Sequence, residues 1–136
     1  MITYKTHQSI TSEQFIDVLQ RSTLGERRPV DTPAAIQGML DNADILITAW
    51  DNGRLVGVSR SVTDYHYCCY LSDLAVDESY QRQGIGVELI ALTQAQLGPG
   101  CKIILLAAPA AADYYLRVGF SHHPRAWILE RDKRPG

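Results

Sequence analysis

The chain has 136 residues, of which 46% are apolar and 21% are charged, so its composition is that of an ordinary soluble globule of one domain. A formal net charge of −2 gives no basic footprint for nucleic acid or an anionic membrane, and we expect neither as a partner. The longest apolar run, Ile103–Ala108, is too short to span a bilayer. The first residues lack the layout of a signal peptide, which leaves the cytoplasm as the default compartment.

The first third of the chain reads as one strand and two helices. Ile2–Thr6 has the pattern of a strand. Thr11-Ser12, followed by Glu13 and Gln14, predicts the cap of a helix that runs to about Gln20. Residues Leu24–Val30 read as a polar loop, and a second helix is predicted from Thr32-Pro33 to about Leu40.

Two strands then form a hairpin. Ile45–Trp50 and Leu55–Thr63 are apolar, and Asn52-Gly53 between them supplies the positive φ angles that a two-residue turn needs. We therefore expect antiparallel pairing here.

The rest of the chain alternates strands and helices. The predicted elements, in order, are a strand at Tyr67–Val76, a helix at about Gly84–Leu97, a buried strand at Lys102–Ala107, a helix at Ala110–Val118 stopped by Gly119, and a strand at Ala126–Glu130. A helix between two strands implies a parallel crossover. The predicted fold class is therefore α+β, with a mixed, mostly antiparallel central sheet flanked by helices. It forms a single domain over residues 1–136, with a flexible tail at 131–136.

A polar run with two glycines joins the fourth predicted strand to the following helix. The run is Gln81-Arg82-Gln83-Gly84-Ile85-Gly86. A helix N-terminus has unsatisfied N–H groups and a partial positive charge, and glycine lets an anion approach the backbone closely. The run thus suits a pyrophosphate, although a plain strand-to-helix turn explains the same residues.

Two segments resemble a known family. Leu74–Ile90, LAVDESYQRQGIGVELI, looks like the acetyl-CoA signature of the GCN5-related N-acetyltransferases, whose Gln/Arg-x-x-Gly-x-Gly/Ala motif is satisfied at every position. Residues 110–120, AAADYYLRVGF, are similar to the final-helix pattern of that family, in which a Tyr, here Tyr115, stands four residues before a Gly-Phe pair. The predicted order of elements also agrees with the family over nearly the whole chain.

The resemblance implies an N-acetyltransferase that uses acetyl-CoA and no metal, with a primary amine of a small molecule or peptide attacking directly in a ternary complex. The pantetheine arm would lie between the strands at Tyr67–Val76 and Lys102–Ala107. The Leu74 backbone N–H would polarise the thioester carbonyl, and the Val76 backbone would bond a pantetheine amide. The residues that the resemblance assigns to cofactor binding are Leu74, Val76, Gln81, Arg82, Gln83, Gly84, Ile85, Gly86, Val87 and Tyr115.

The resemblance also makes Tyr115 the candidate acid that protonates the leaving thiolate, a role that suits a phenol with a reference pKa near 10. Packing is the alternative role for this ring, and Tyr114 is the better packing candidate. The general base is not identified. Strand alternation predicts that Asp73 is a structural or water-bonding carboxylate, and that Tyr70 and Ser72 share the face of Leu74.

The acceptor is the least defined part of the prediction. Many relatives carry an Asn before the last helix, where this chain has Ala107-Ala108. Arg27 and Arg28 could bind an anionic group of the acceptor or form a solvated face. A non-catalytic acetyl-CoA sensor or an interaction module with a vestigial pocket is the alternative function. The apolar Ala126–Leu129 segment is a candidate edge for a homodimer.

Overall fold

The computed structural model describes all of residues 1–136, and the chain divides into two compact units, Met1–Leu106 and Ala107–Gly136. The first unit contains five strands and three α-helices. In chain order these are β1 (Ile2–Lys5), α1 (Ser12–Arg21), α2 (Pro33–Asp41), β2 (Ile45–Asp51), β3 (Arg54–Thr63), β4 (Cys68–Val76), α3 (Ile85–Gln94) and β5 (Lys102–Ile104). Two 3₁₀ turns, at Leu24–Arg27 and Glu78–Tyr80, lie between them.

The five strands form one sheet in the order β1-β2-β3-β4-β5. Every neighbouring pair is antiparallel except β4 and β5, which are parallel. The hairpin between β2 and β3 turns on Asn52 and Gly53, with φ angles of 50° and 83°, as the Asn-Gly signal predicts. The predicted mixed, mostly antiparallel sheet is confirmed.

Helices α1 and α2 pack on one face of the sheet. The cap of α1 is a capping box, in which the Thr11 hydroxyl accepts from the Gln14 N–H and the Gln14 side chain accepts from the Thr11 N–H. The buried core on this face consists of Ile10, Phe15, Val18, Leu19, Ile36, Trp50, Leu55, Val58 and Ala75. We call this the α1–α2 face.

Helix α3 packs on the opposite face, which we call the α3 face. Its buried core contains Ile45, Ile47, Ala49, Val56, Ile85 and Leu89, with Leu74 and Val76 packed against it. The approach of α3 is close at Gly57, where a Cβ atom would lie 3.2 Å from both Ile85 Cγ2 and Leu89 Cδ1. Gly57 therefore lets the first turn of α3 rest on the sheet.

Two predicted elements of this unit differ in the structure. Helix α3 ends at Gln94 rather than Leu97, because Gln96 and Leu97 bond three residues back instead of four. Strand β5 is three residues long, not six, and it is not buried, since Ile104 is 46% exposed. It is the edge strand of the sheet, so only β4 pairs with it.

The second unit contains a 3₁₀ turn at Pro109–Ala111 followed by α4 (Ala112–Arg117). Gly119, with φ of 111°, ends this helix as predicted. The predicted strand at Ala126–Glu130 is wrong, because these residues pair with no other strand and are exposed. The assignment of residues 1–136 to a single domain stays a prediction.

None of the helices has the length and apolar character needed to cross a membrane.

Candidate active site

Strand β4 carries one extra residue opposite β3. Arg60 pairs with Asp73 but the next residue, Ser61, pairs with Leu71, so Ser72 has no partner of its own. This is a β-bulge, which locally breaks the ladder and re-aims the residues that follow it.

The bulge changes which backbone groups face outward from the sheet. The Asp77 N–H donates to the Val56 carbonyl at 2.8 Å, which makes Val56 and Asp77 a hydrogen-bonded pair. Antiparallel pairs alternate between bonded and non-bonded, so Ser59–Leu74 and Gly57–Val76 are non-bonded pairs. The N–H groups of Leu74 and Val76 therefore point away from β3.

The edge toward which they point is open. Strand β5 pairs with β4 only at Cys68–Tyr70, and the chain leaves the sheet after Ile104. Residues Leu71–Val76 thus have a strand on one side only. An extended ligand with amide groups could bond to this half of β4 as an added strand would.

The loop after β4 is held by its own side chains. Asp77 accepts from the Ser79 N–H at 2.8 Å, and the Tyr80 hydroxyl donates to Asp51 at 2.7 Å. The Gln81 side-chain amide donates to the Val76 carbonyl at 3.1 Å. This contact uses one of the two acceptor positions of the Val76 carbonyl, and the Val76 N–H stays at the open edge.

Asp77 joins this loop to α1. Its carboxylate pairs with Arg21, which also donates to the Leu55 carbonyl at 2.6 Å. Burial opposes ionisation of Asp77, but the hydrogen bond from Ser79 and the contact with Arg21 outweigh burial and lower its pKa. The ionised Asp77 therefore fixes the start of the loop.

The loop enters α3 through two residues with positive φ. Arg82 has φ of 65°, and Gly84, the N-cap of α3, has φ of 82°. No side chain caps the helix, and the first intrahelical bond is from Glu88 N–H to the Gly84 carbonyl. The N–H groups of Ile85, Gly86 and Val87 consequently have no acceptor within the chain.

The environment of Gly84 matches that of an anion site. A Cβ atom at Gly84 would meet nothing within 4 Å, and Arg82 and Gln83 beside it are exposed. The Ile85 side chain is buried in the core of the α3 face, so only its backbone is available. The turn thus presents free N–H groups, a nearby guanidinium and the positive end of a helix dipole.

Asp73 is a structural carboxylate, as its predicted orientation suggested. It is completely buried and forms ion pairs with Arg28 and Arg60. Arg28 also donates to the Ser72 carbonyl at 2.7 Å. Binding of an acceptor anion by Arg28 is therefore wrong as a prediction, because its guanidinium is engaged within the fold. Of the two arginines considered for acceptor binding, Arg27 is exposed and Arg28 is half-buried.

The predicted placement of Tyr70 is also wrong. Tyr70 pairs with Val62, whereas Leu74 pairs with Ser59, and on β3 those two partners lie on opposite faces. Leu74 packs on the α3 face, so Tyr70 lies on the α1–α2 face, where it is 39% exposed. The bulge at Ser72 separates the two residues.

Tyr115 lies on α4 in the second unit. Its ring makes edge-to-face contacts with Tyr114 and Phe120, with centroids 5.2 Å and 5.4 Å away. Burial raises the pKa of the neighbouring Tyr114, which agrees with a packing role for that residue.

All three cysteines are free thiols. The structure brings together no group of three or more His, Cys, Asp or Glu side chains that could hold a metal ion.

Comparison with known proteins places this geometry in context. Residues 11–120 match the model of the acetyltransferase (GNAT) family. A protein described as GCN5-related N-acetyltransferase 2, chloroplastic, from Arabidopsis thaliana is 33% identical over 76 residues. These are 52% of this chain and 28% of that protein, so the match spans under a third of the length of that relative.

Two solved structures share the fold. One is a protein of unknown function, described as a probable acetyltransferase, from methicillin-resistant Staphylococcus aureus. It superposes with a TM-score of 0.79 at 22% identity and covers 96% of this chain and 98% of its own. The other is AAC(6')-Iy in complex with the bisubstrate analog CoA-S-monomethyl-acetylneamine, with a TM-score of 0.73, 19% identity and 99% of both chains covered.

Proposed function

The chain belongs to the acetyltransferase (GNAT) family, and from that premise we propose that it transfers an acetyl group from acetyl-CoA to a primary amine. The acceptor is a small molecule or a peptide, and the amine attacks directly in a ternary complex. The observation that carries the proposal is that an open edge of β4 and an uncapped N-terminus of α3 follow one another along the same stretch of chain.

The chain's own groups suit acetyl-CoA. The free N–H groups of Ile85, Gly86 and Val87 match a pyrophosphate, and Arg82 adds a full positive charge. The outward N–H groups of Leu74 and Val76 match the amide-bearing pantetheine arm. The Val76 carbonyl is held by Gln81, so we assign pantetheine bonding to the Val76 N–H.

Acetyl-CoA supplies the acetyl group as a thioester. In this proposal the amine nitrogen forms a bond to the thioester carbon as the carbon–sulfur bond breaks. The Leu74 N–H donates to the carbonyl oxygen while that oxygen gains negative charge, and such a donor contributes about 3 kcal/mol to the transition state. Tyr115 protonates the departing sulfur. The amine loses its proton to a base that we do not assign.

The acceptor class follows from the relatives rather than from this chain. The AAC(6')-Iy structure contains an acetylneamine analog, so an aminoglycoside belongs in any acceptor screen. Polyamines and peptides with a free amine complete the set that the proposal allows.

A combined screen tests the function. Thermal shift with and without acetyl-CoA reports binding, and thiol release across the amine panel reports turnover. We expect acetyl-CoA to raise the melting temperature and at least one amine to accelerate thiol release. A melting shift without release for any amine would favour a sensor, and no shift at all would favour an interaction module.

A further inference from the structure

The bulge in β4 is enclosed by a set of polar side chains that we call the arginine clamp: Arg28, Arg60, Ser72 and Asp73. Both guanidiniums donate to the Asp73 carboxylate. Arg28 also donates to the Ser72 carbonyl at 2.7 Å, and Arg60 donates to the Ser72 hydroxyl at 2.9 Å. Each arginine therefore holds both the bulged residue and the residue after it.

The clamp joins three parts of the first unit. Arg28 follows the 3₁₀ turn after α1, Arg60 lies in β3, and Asp73 lies in β4. Arg60 is buried and also donates to the Met39 carbonyl in α2 at 3.2 Å. The bulge is thus tied to α2, to the segment that follows the 3₁₀ turn after α1, and to the neighbouring strand.

A bulge needs this kind of support. It interrupts the ladder, so the carbonyl of the extra residue loses its cross-strand partner. Arg28 supplies that partner here. A buried carboxylate without a cation would be strongly destabilising, so the paired arginines and Asp73 favour the one register in which all of them meet.

We propose that the arginine clamp fixes the bulge register and thereby points the Leu74 N–H to the open edge, which makes Arg28, Arg60 and Asp73 positioning residues for acetyl transfer. The catalytic consequence rests on the proposed function of Leu74. Without the bulge, Leu74 would take a hydrogen-bonded position and its N–H would turn toward β3.

The test compares Arg28→Gln with a matched control. Arg27→Gln removes the neighbouring charge, which is exposed and has no part in the clamp. We expect Arg28→Gln to lower kcat roughly tenfold or more, because a misdirected oxyanion donor costs on the order of a hundredfold when lost. Its acetyl-CoA Kd should rise by a smaller factor than kcat falls, since the Val76 N–H turns together with that of Leu74 but the free N–H groups of the α3 N-terminus are untouched. Arg27→Gln should keep the parental kcat when acetyl-CoA and the acceptor are both saturating.

A second readout needs no activity. In a non-bonded antiparallel pair the two Cα atoms are only about 4.5 Å apart, so Ser59 and Leu74 should show an Hα–Hα cross-peak in NMR spectra of the parent. Arg28→Gln should weaken or abolish this cross-peak, and Arg27→Gln should retain it. Ser72→Ala replaces Arg28→Gln in this test if Arg28→Gln does not fold. It removes only the hydroxyl contact with Arg60, and it should also weaken the Ser59–Leu74 cross-peak.

The two readouts separate the two proposals. A parent that transfers no acetyl group would overturn the proposed function, and the cross-peak would still decide whether the clamp fixes the bulge. An Arg28→Gln variant, or a Ser72→Ala variant in its place, that retains both the cross-peak and the parental kcat would overturn the clamp.

Discussion

In the proposed mechanism, single residues act mainly through backbone geometry rather than through reactive side chains. Leu74, Val76 and Gly86 would contribute N–H groups, and their side chains are apolar or absent. Tyr115 is the exception, because its proposed role needs its hydroxyl.

Tyr115→Phe removes that hydroxyl and keeps the ring that contacts Tyr114 and Phe120. We expect turnover to fall roughly 100-fold, because general acid catalysis contributes that much or more. Acetyl-CoA affinity should change little. Tyr114→Phe is the matched control and should retain turnover in the thiol-release assay. If Tyr115→Phe keeps the parental activity, Tyr115 is not the acid and water protonates the departing sulfur instead.

Asp64 contributes to the pH dependence of stability in acid. It accepts backbone hydrogen bonds from Tyr67, Cys68 and His66, which lower its pKa from 3.8 to about 2. Because the folded-state pKa is depressed, this stabilisation is complete above 3.8 and is lost as the pH falls toward 2. Asp64→Asn should melt below the parent at neutral pH, and the gap in melting temperature should close between about pH 4 and pH 2. A constant gap measured by circular dichroism would contradict this account.

At the scale of elements, the site depends on where α3 meets the sheet. The helix lies close to the sheet at Gly57, beside Ile85 in its first turn. Displacing α3 there would move the free N–H groups relative to Leu74 and Val76.

Gly57→Val should therefore have two effects. The added methyl groups overpack the contact with Ile85 and Leu89, and the free energy of unfolding should fall by about 1–3 kcal/mol. Acetyl-CoA should also bind more weakly. Gly38→Val in α2 is the control, since a Cβ atom there meets nothing within 4 Å. Urea unfolding and acetyl-CoA titration of both variants check this, and equal stabilities would contradict the packing argument.

Most helices, strands and turns of the first unit could be predicted, because the residues that favour each element locally also suit its place in the fold. The Thr11 cap, the Asn52-Gly53 turn and the helix at α3 all have sequence signatures that the fold uses. The segment at Ala126–Glu130 has strand propensity, but a strand also needs a partner, and propensity cannot supply one.

The bulge at Ser72 was hidden for a physical reason. Buried and more exposed side chains alternate along the whole of β4. The order of residue types in the sequence is therefore that of a regular strand and does not indicate the bulge. Yet Leu71 is buried on the α3 face and Asp73 on the α1–α2 face, because the extra residue swaps the faces midway. Arg60, inside an apolar strand, was the available signal that a buried carboxylate lay opposite.

At the scale of the whole molecule, self-association stays a prediction. The segment proposed for it forms no strand, but Trp127, Ile128 and Leu129 are 91%, 61% and 62% exposed. Exposed apolar clusters favour association. Sedimentation at micromolar concentration should show a dimer, and Ile128→Asp should return it to the 15.1 kDa monomer. A parent protein that sediments only as a monomer would contradict the prediction of a homodimer.

The affinity of Gly86→Asp for acetyl-CoA, measured by calorimetry, tests the central claim most directly. The substitution places a negative side chain where the pyrophosphate should bind, and the fold should persist because acidic residues suit the first turn of a helix. Charge-assisted hydrogen bonds contribute about 1.5–3 kcal/mol each, so losing two should weaken binding at least roughly 100-fold. Gly38→Asp makes the same change in α2 and should bind like the parent. A folded Gly86→Asp variant with parental affinity would contradict the account and leave the glycine run as a plain strand-to-helix turn.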